Sequence, residues 1–130
     1  MLTYEARTSA PADRVWPLLA RPSSWSRWAP HLRGAWGLGE DEVRPGAFGA
    51  VRLLGVVPVP ARITAKDPGR SWDWHVGVAS FRHRVTPAPG GSVVGVDISA
   101  PVPLEQVLRV TYGPLVALLV RNLARVAEDT

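Results

Sequence analysis

The stretch from Pro103 to Thr130 constrains the fold more than any other, because its apolar residues recur at helical spacing. Leu104, Leu108, Thr111, Leu115, Leu118 with Leu119, and Val126 fall three, four or seven residues apart, which places them on one face of a helix. Such a face needs a surface to lie against, and nearly everything before it reads as short strands bounded by turn residues. One curved antiparallel sheet closed over one long C-terminal helix is the simplest arrangement that buries both. Gly113 and Pro114 interrupt the helical run. Proline cannot donate to the carbonyl of Val110, so a kink or a fresh helix start is expected there. Asn122 falls inside the apolar stripe, and a buried amide at that place calls for a water, a strand backbone or a ligand as partner.

Leu2, Tyr4, Ala6 and Thr8 alternate with Thr3, Glu5 and Arg7, the period of a half-buried strand. Pro11 then suits the first position of a short helix whose inward residues are Val15, Trp16 and Leu19. Arg21-Pro22-Ser23 interrupts it, Ser23 is placed to cap a second short helix with Trp25 and Trp28, and Pro30 closes that one. From Leu32 on the signals are those of strands: 32–38 with two glycines, a polar turn over 40–45, then 47–55 and 59–66. Asp67-Pro68-Gly69 is a turn, since proline presets one dihedral and glycine permits a positive one. Trp72, Trp74, Val76 and Val78 alternate with polar residues, as do Phe81, His83 and Val85. Pro89-Gly90-Gly91 turns the chain into a last strand with Val94, Val96 and Ile98 on one face.

A chain of 130 residues that is 46% hydrophobic and 20% charged is long and apolar enough for one domain, 1–130, with a real core. The absence of cysteine excludes disulfides, thiolate metal sites and thiol nucleophiles. The net charge of +4 raises the question of nucleic acid, but the arginines are scattered among carboxylates and Lys66 is the sole lysine, so no phosphate track forms. Met1 to Arg7 has no apolar signal core and Leu115 to Val120 is far too short for a membrane span. A soluble, cytoplasmic protein without membrane insertion is expected.

Several features come together in one order: Ala10-Pro11-Ala12 before Val15-Trp16, Trp25 and Trp28 before Pro30, and Asp67-Pro68 in mid-sheet. His83 on a strand, Gly91-Ser92 followed by Val94, and the closing amphipathic helix complete it. In this order the chain resembles the polyketide cyclase/dehydrase branch of the SRPBCC or START-like superfamily over nearly its whole length. The resemblance implies an α+β helix-grip fold, in which a bent seven-stranded antiparallel sheet wraps a long C-terminal helix. Two short helices follow the first strand, and a cavity for a hydrophobic ligand lies between sheet and helix. It says little about chemistry, because one fold carries many functions.

If the helix covers the concave side, the strand phases turn Tyr4, Ala6, Thr8, Trp72, Trp74, Val76, Phe81, His83, Val85, Val94, Val96 and Ile98 inward. Asp73, His75, Arg82, Arg84 and Asp97 then face out. An apolar lining with a few placed polar groups is how small-molecule sites are built. His83 is the candidate for acid-base work, since an imidazole titrates near neutrality; its structural alternative is a core histidine bonded to Tyr4 or Asn122. The resemblance implies an arginine acting with tyrosine and histidine on polyketide carbonyls, a part that falls to Arg52 if it faces inward; with Val51 and Leu53 inward instead, Arg52 is solvated. The candidate catalytic set is therefore His83, Tyr4 and Arg52. The candidate ligand-binding set is Trp28, Trp36, Trp72, Trp74, Phe81, Leu115, Leu119 and Asn122, with Trp25, Trp28 and Trp36 near the mouth as a gate. His31, His75 and His83 share no ligand spacing, so no metal is expected, and no cofactor.

Three functions fit. A cyclase-like protein would bind and fold an aromatic or polyketide-type molecule, largely by shape. A carrier or sensor would bind it without turnover. An interaction module would use Val116, Ala117 and Val120, which lie off the main stripe, in a homodimer. The sequence leaves turnover, ligand and the choice between monomer and homodimer open.

Overall fold

The computed structural model describes residues 1–29, 32–39, 41–53, 57–76 and 78–129, with side chains at all of these except 32–36, 51–53 and 57–59. Its frame is a sheet of strands β1 (Leu2–Thr8), β2 (Leu32–Trp36), β3 (Phe48–Leu53), β4 (Val57–Asp67), β5 (Ser71–Val76), β6 (Ala79–Ala88) and β7 (Gly91–Ser99). The seven-stranded order is β1-β7-β6-β5-β4-β3-β2, with every neighbouring pair antiparallel. Consecutive strands from β2 on are neighbours. Only β1 crosses to the far edge, and helix α1 (Ala12–Ala20) and a 3-10 helix (Pro22–Arg27) make that crossing. The chain ends in α2 (Leu104–Thr111) and α3 (Gly113–Glu128).

The register sets which side chains share a row across the concave face. Ile63, Trp74, Phe81, Ile98 and Leu2 stand opposite one another in one row, and Trp72, His83, Val96 and Tyr4 in the next. On the convex face, Arg84 pairs with Asp97 at 2.8 Å and with Glu5 at 2.7 Å. Gly95 stands between Arg84 and Glu5 in the register. A β-carbon there would strike the guanidinium, so glycine is what lets Arg84 reach across β7. The Asp67-Pro68-Gly69 turn forms as expected, with Arg70 N–H donating to Asp67 O at 2.9 Å and Gly69 at a φ of +80°.

Helix α3 lies along β1 and runs in the same direction. Gly113 sits beside Tyr4, Thr8 Oγ1 donates to Ala124 O at 2.9 Å, and Ser9 N–H donates to the Glu128 carboxylate at 2.9 Å. Its inward residues are Val116, Leu119, Val120, Leu123, Ala124 and Ala127.

The single long helix divides at the Gly113-Pro114 break, where α2 and α3 meet at a bend of 56°. The break also rotates the buried face away from the expected stripe. Leu119 is buried, Leu104, Leu108, Leu115 and Val126 are half-buried, and Thr111 and Leu118 are exposed, whereas Val116 and Val120 are core. Of the three residues from which the sequence suggests a homodimer face, Val116 and Val120 are packed inside the chain and Ala117 is half-buried. The 3-10 helix starts on Pro22 after Arg21, with no side-chain cap, so Ser23 is not its cap. Leu38 lies beyond the end of β2 and is buried together with Val43, so the segment read as a polar turn contributes to the core under α1. Val43 N–H donates to Ala20 O at 2.9 Å and fastens it there. Among the described residues no single helix is long and apolar enough to cross a membrane.

Candidate functional site

The end of the concave face beneath α1 is filled by rings. Trp25 stacks on Trp72 at 5.5 Å, and both indoles donate to Leu19 O at 3.0 Å. Trp74 meets both edge-on. Trp28 is buried, with its N–H on Leu18 O at 2.8 Å. Trp25 and Trp28 are therefore struts between the 3-10 helix and α1, not a gate. Asn122 Nδ2 donates to Trp28 O at 2.8 Å and ties α3 to the same structure, so its partner is a loop carbonyl.

His83 lies against Trp72 with ring centroids 3.9 Å apart, nearly parallel, and its Nδ1 is 3.4 Å from Trp72 O. Tyr4 stands in the same row two strands away with Val96 between, a separation of roughly 10 Å from the strand spacing, so the two do not bond directly. Burial pushes the imidazole down to about 3, against the opposing pull of the Trp72 carbonyl and Asp97. At neutral pH His83 is uncharged, and a proton placed on it would be costly.

Towards the α2–α3 elbow the lining changes character. Tyr4, Val76, Phe81, Tyr112 and Leu115 pack against the core yet stay half-exposed. Phe81 and Tyr112 meet edge-to-face at 6.1 Å, and burial raises the Tyr112 phenol. Gly113 makes room for Tyr4: a β-carbon at 113 would run into the Tyr4 hydroxyl. The Trp74 indole N–H, on the row that holds Phe81, is buried and has no hydrogen-bond partner among the described residues. Lys66 stands opposite Trp72 but is occupied by Glu42 at 2.9 Å.

The candidate residues thus divide. Tyr4, Phe81 and Leu115 lie toward the elbow, with Leu119 buried one helical turn on, whereas Trp74 packs with Trp25, Trp72 and His83 in the filled end. His83 and Trp72 lie deeper, and Trp28 and Asn122 hold helices together. The side chains of Arg52 and Trp36 lie outside the described residues, as does His31. Among the described residues no three His, Cys, Asp or Glu side chains come together in a way that could hold a metal ion.

The family model for polyketide cyclase/dehydrase and lipid transport matches residues 2–128. The chain belongs to that family. Its relatives in solved structures share the START-like fold at low identity. Protein NE0264 from Nitrosomonas europaea is 14% identical, with 98% of this chain covering 94% of that one at a TM-score of 0.77. Ara h 8.0201 is 17% identical, with 99% covering 97% at 0.68. DynU16, a putative protein in the dynemicin biosynthetic locus, is 22% identical, with 98% of this chain covering 46% of that one at 0.72. No curated protein matches significantly. In this family member, sequence reasoning missed the unpaired Trp74 N–H and the seating of Tyr4 on Gly113. A glycine directly before a helix-breaking proline was the available signal for the second.

Proposed function

We propose that the chain binds a hydrophobic, planar, aromatic or polyketide-type small molecule on the concave face at the α2–α3 elbow, and acts as its carrier or sensor. The observation that carries this reading is the half-exposed apolar belt of Tyr4, Val76, Phe81, Tyr112 and Leu115 beside a packed core. The family's description, and the biosynthetic locus of DynU16, support a small hydrophobic ligand. Carriage is favoured over cyclisation because turnover needs a group that gives or takes a proton beside the ligand. His83 is held neutral far below the working pH, and Lys66 is tied to Glu42. Binding of this kind needs no cofactor.

Intrinsic tryptophan fluorescence, titrated with aromatic tricycles, flavonoids and fatty acids, tests the reading. Saturable quenching at micromolar concentration by the aromatic class is expected, abolished in Leu115→Arg, a half-exposed position where the folded state should tolerate the change. Absence of a saturable response across the panel, or an equal response in Leu115→Arg, would overturn it. Conversion of a reactive polyketide analogue that is lost in Tyr4→Phe with affinity unchanged would replace the carrier with a cyclase.

A further inference from the structure

We propose that the chain docks on the surface of anionic lipid bilayers through the end of the molecule that carries α2. Val102, Val107, Val110 and Leu118 enter the apolar edge of the bilayer, and Arg109 and Arg121 meet its headgroups. Among the described residues, the large apolar side chains that stand half or more in solvent are Met1, Phe48, Val78, Val102, Val107, Val110 and Leu118. Phe48 lies apart, under the Arg62 guanidinium. The topology brings the others together. Leu2 on β1 and Phe81 on β6 both stand opposite Ile98 on β7. Met1, the β5–β6 turn with Val78, and the exit of β7 towards Val102 therefore share one end of the sheet. The Met1 amine bonds to Glu105 at 2.6 Å, which holds α2 at that end.

Helix α2 is more apolar than the core requires. On the helical period Leu108, Leu104, Thr111, Val107 and Val110 follow one another round it as one arc, and Glu105, Arg109 and Gln106 fill the rest. The core takes one edge of that arc: Leu104 and Leu108 are half-buried, and no residue of α2 is fully buried. Val110 is left 73% exposed. Pro114 and Leu118 continue the ridge along α3, also exposed, and Arg121 and Arg125 follow. Apolar side chains gathered in this way on a folded surface mark a binding face.

Charge decides what the face meets. From Val102 to Arg125 the sequence holds one carboxylate, Glu105, which the Met1 amine engages, against Arg109, Arg121 and Arg125. A negative surface is complementary to it. A second copy related by a two-fold axis would set these same cations against one another. The exposed side chains are Val, Leu, Met and Pro rather than the Trp and Tyr that anchor protein partners, and they suit a medium that deforms around them. The helices lie on the bilayer and do not cross it, since α2 and α3 meet at 56° and no single described helix is long enough.

The test is sedimentation of the intact chain with vesicles of phosphatidylcholine alone and of phosphatidylcholine with phosphatidylglycerol. Saturable binding to the mixed vesicles is expected, about tenfold weaker on phosphatidylcholine alone and in high salt. Val110→Asp should abolish it, Arg121→Gln should weaken it about fivefold, and Phe48→Asp should leave it unchanged. All three side chains are exposed, so the variants should fold, which circular dichroism checks. No binding to the mixed vesicles, binding that survives Val110→Asp, or binding lost equally in Phe48→Asp would overturn the proposal. So would dimers in sedimentation velocity that Val110→Asp removes while vesicles leave the chain unbound, a result that would give the ridge to a second copy.

Discussion

His83 sits where protonation is most costly, stacked on Trp72 and sealed from water, and this gives stability a pH dependence of definite sign. In the unfolded chain the imidazole takes a proton near its ordinary 6.5, whereas in the folded chain burial delays this to about 3. Between those values the unfolded state binds more protons, so stability falls as pH falls through the window, by a few kcal/mol in all. Chemical denaturation at pH 7 and pH 5 should show the loss, and His83→Phe, of similar shape, should flatten it. The carboxylates held low by partners, Asp97 by Arg84 first among them, act only below about pH 4.5 and leave the upper part of the window to histidine. Gly113 offers a second residue-scale test. Gly113→Ala should destabilise by about 1–2 kcal/mol, because its methyl displaces the Tyr4 hydroxyl. In a Tyr4→Phe background most of the clash is gone, and the better helix propensity of alanine should offset the rest. The inward phase of His83 and Tyr4 was legible from alternation alone. Their mutual distance was not, because it depends on β7 lying between their strands.

At the scale of elements, side chains that reach from one element to the next hold the fold's parts in place. Asn122 joins α3 to the 3-10 helix through Trp28 O, and Asn122→Ala should cost about 1–3 kcal/mol by stranding that carbonyl, measurable by denaturation. Arg84 joins β1, β7 and β6 across Gly95. Arg84→Met should cost about 1 kcal/mol in the native sequence and close to nothing in Gly95→Ala, where the bridge is already displaced. The strands themselves and the proline break in the C-terminal helix were readable, since alternation and Pro114 are local signals, whereas the order of the strands was not. Nor was the buried stripe of α3. A periodicity drawn from Leu104 through Val126 assumes one continuous axis, and a bend of 56° turns Val116 and Val120 inward while Leu118 stands 54% exposed. Leu38 and Val43 escaped for a related reason. They are core residues in a loop, where no period marks them.

For the molecule as a whole, the sheet and α3 enclose a core that is filled by rings at one end and bordered by partly buried apolar side chains at the other. Three indoles and His83 fill the end under α1, and toward the elbow Tyr4, Phe81, Tyr112 and Leu115 are partly buried against that core. Which tryptophans would pack each other and which would face a ligand could not be read from the sequence, because an indole serves either role. A bound ligand should also stabilise the fold by mass action, about 2.7 kcal/mol at a hundredfold excess over Kd, visible as a rise in melting temperature. The most direct measurement is backbone and side-chain shift mapping by NMR during titration with 9-fluorenone. Saturable changes are expected at Tyr4, Val76, Phe81, Tyr112 and Leu115, with the convex residues Asp73, Arg82 and Arg84 unmoved. Changes confined to that convex face, or none at saturating ligand, would contradict the proposed site.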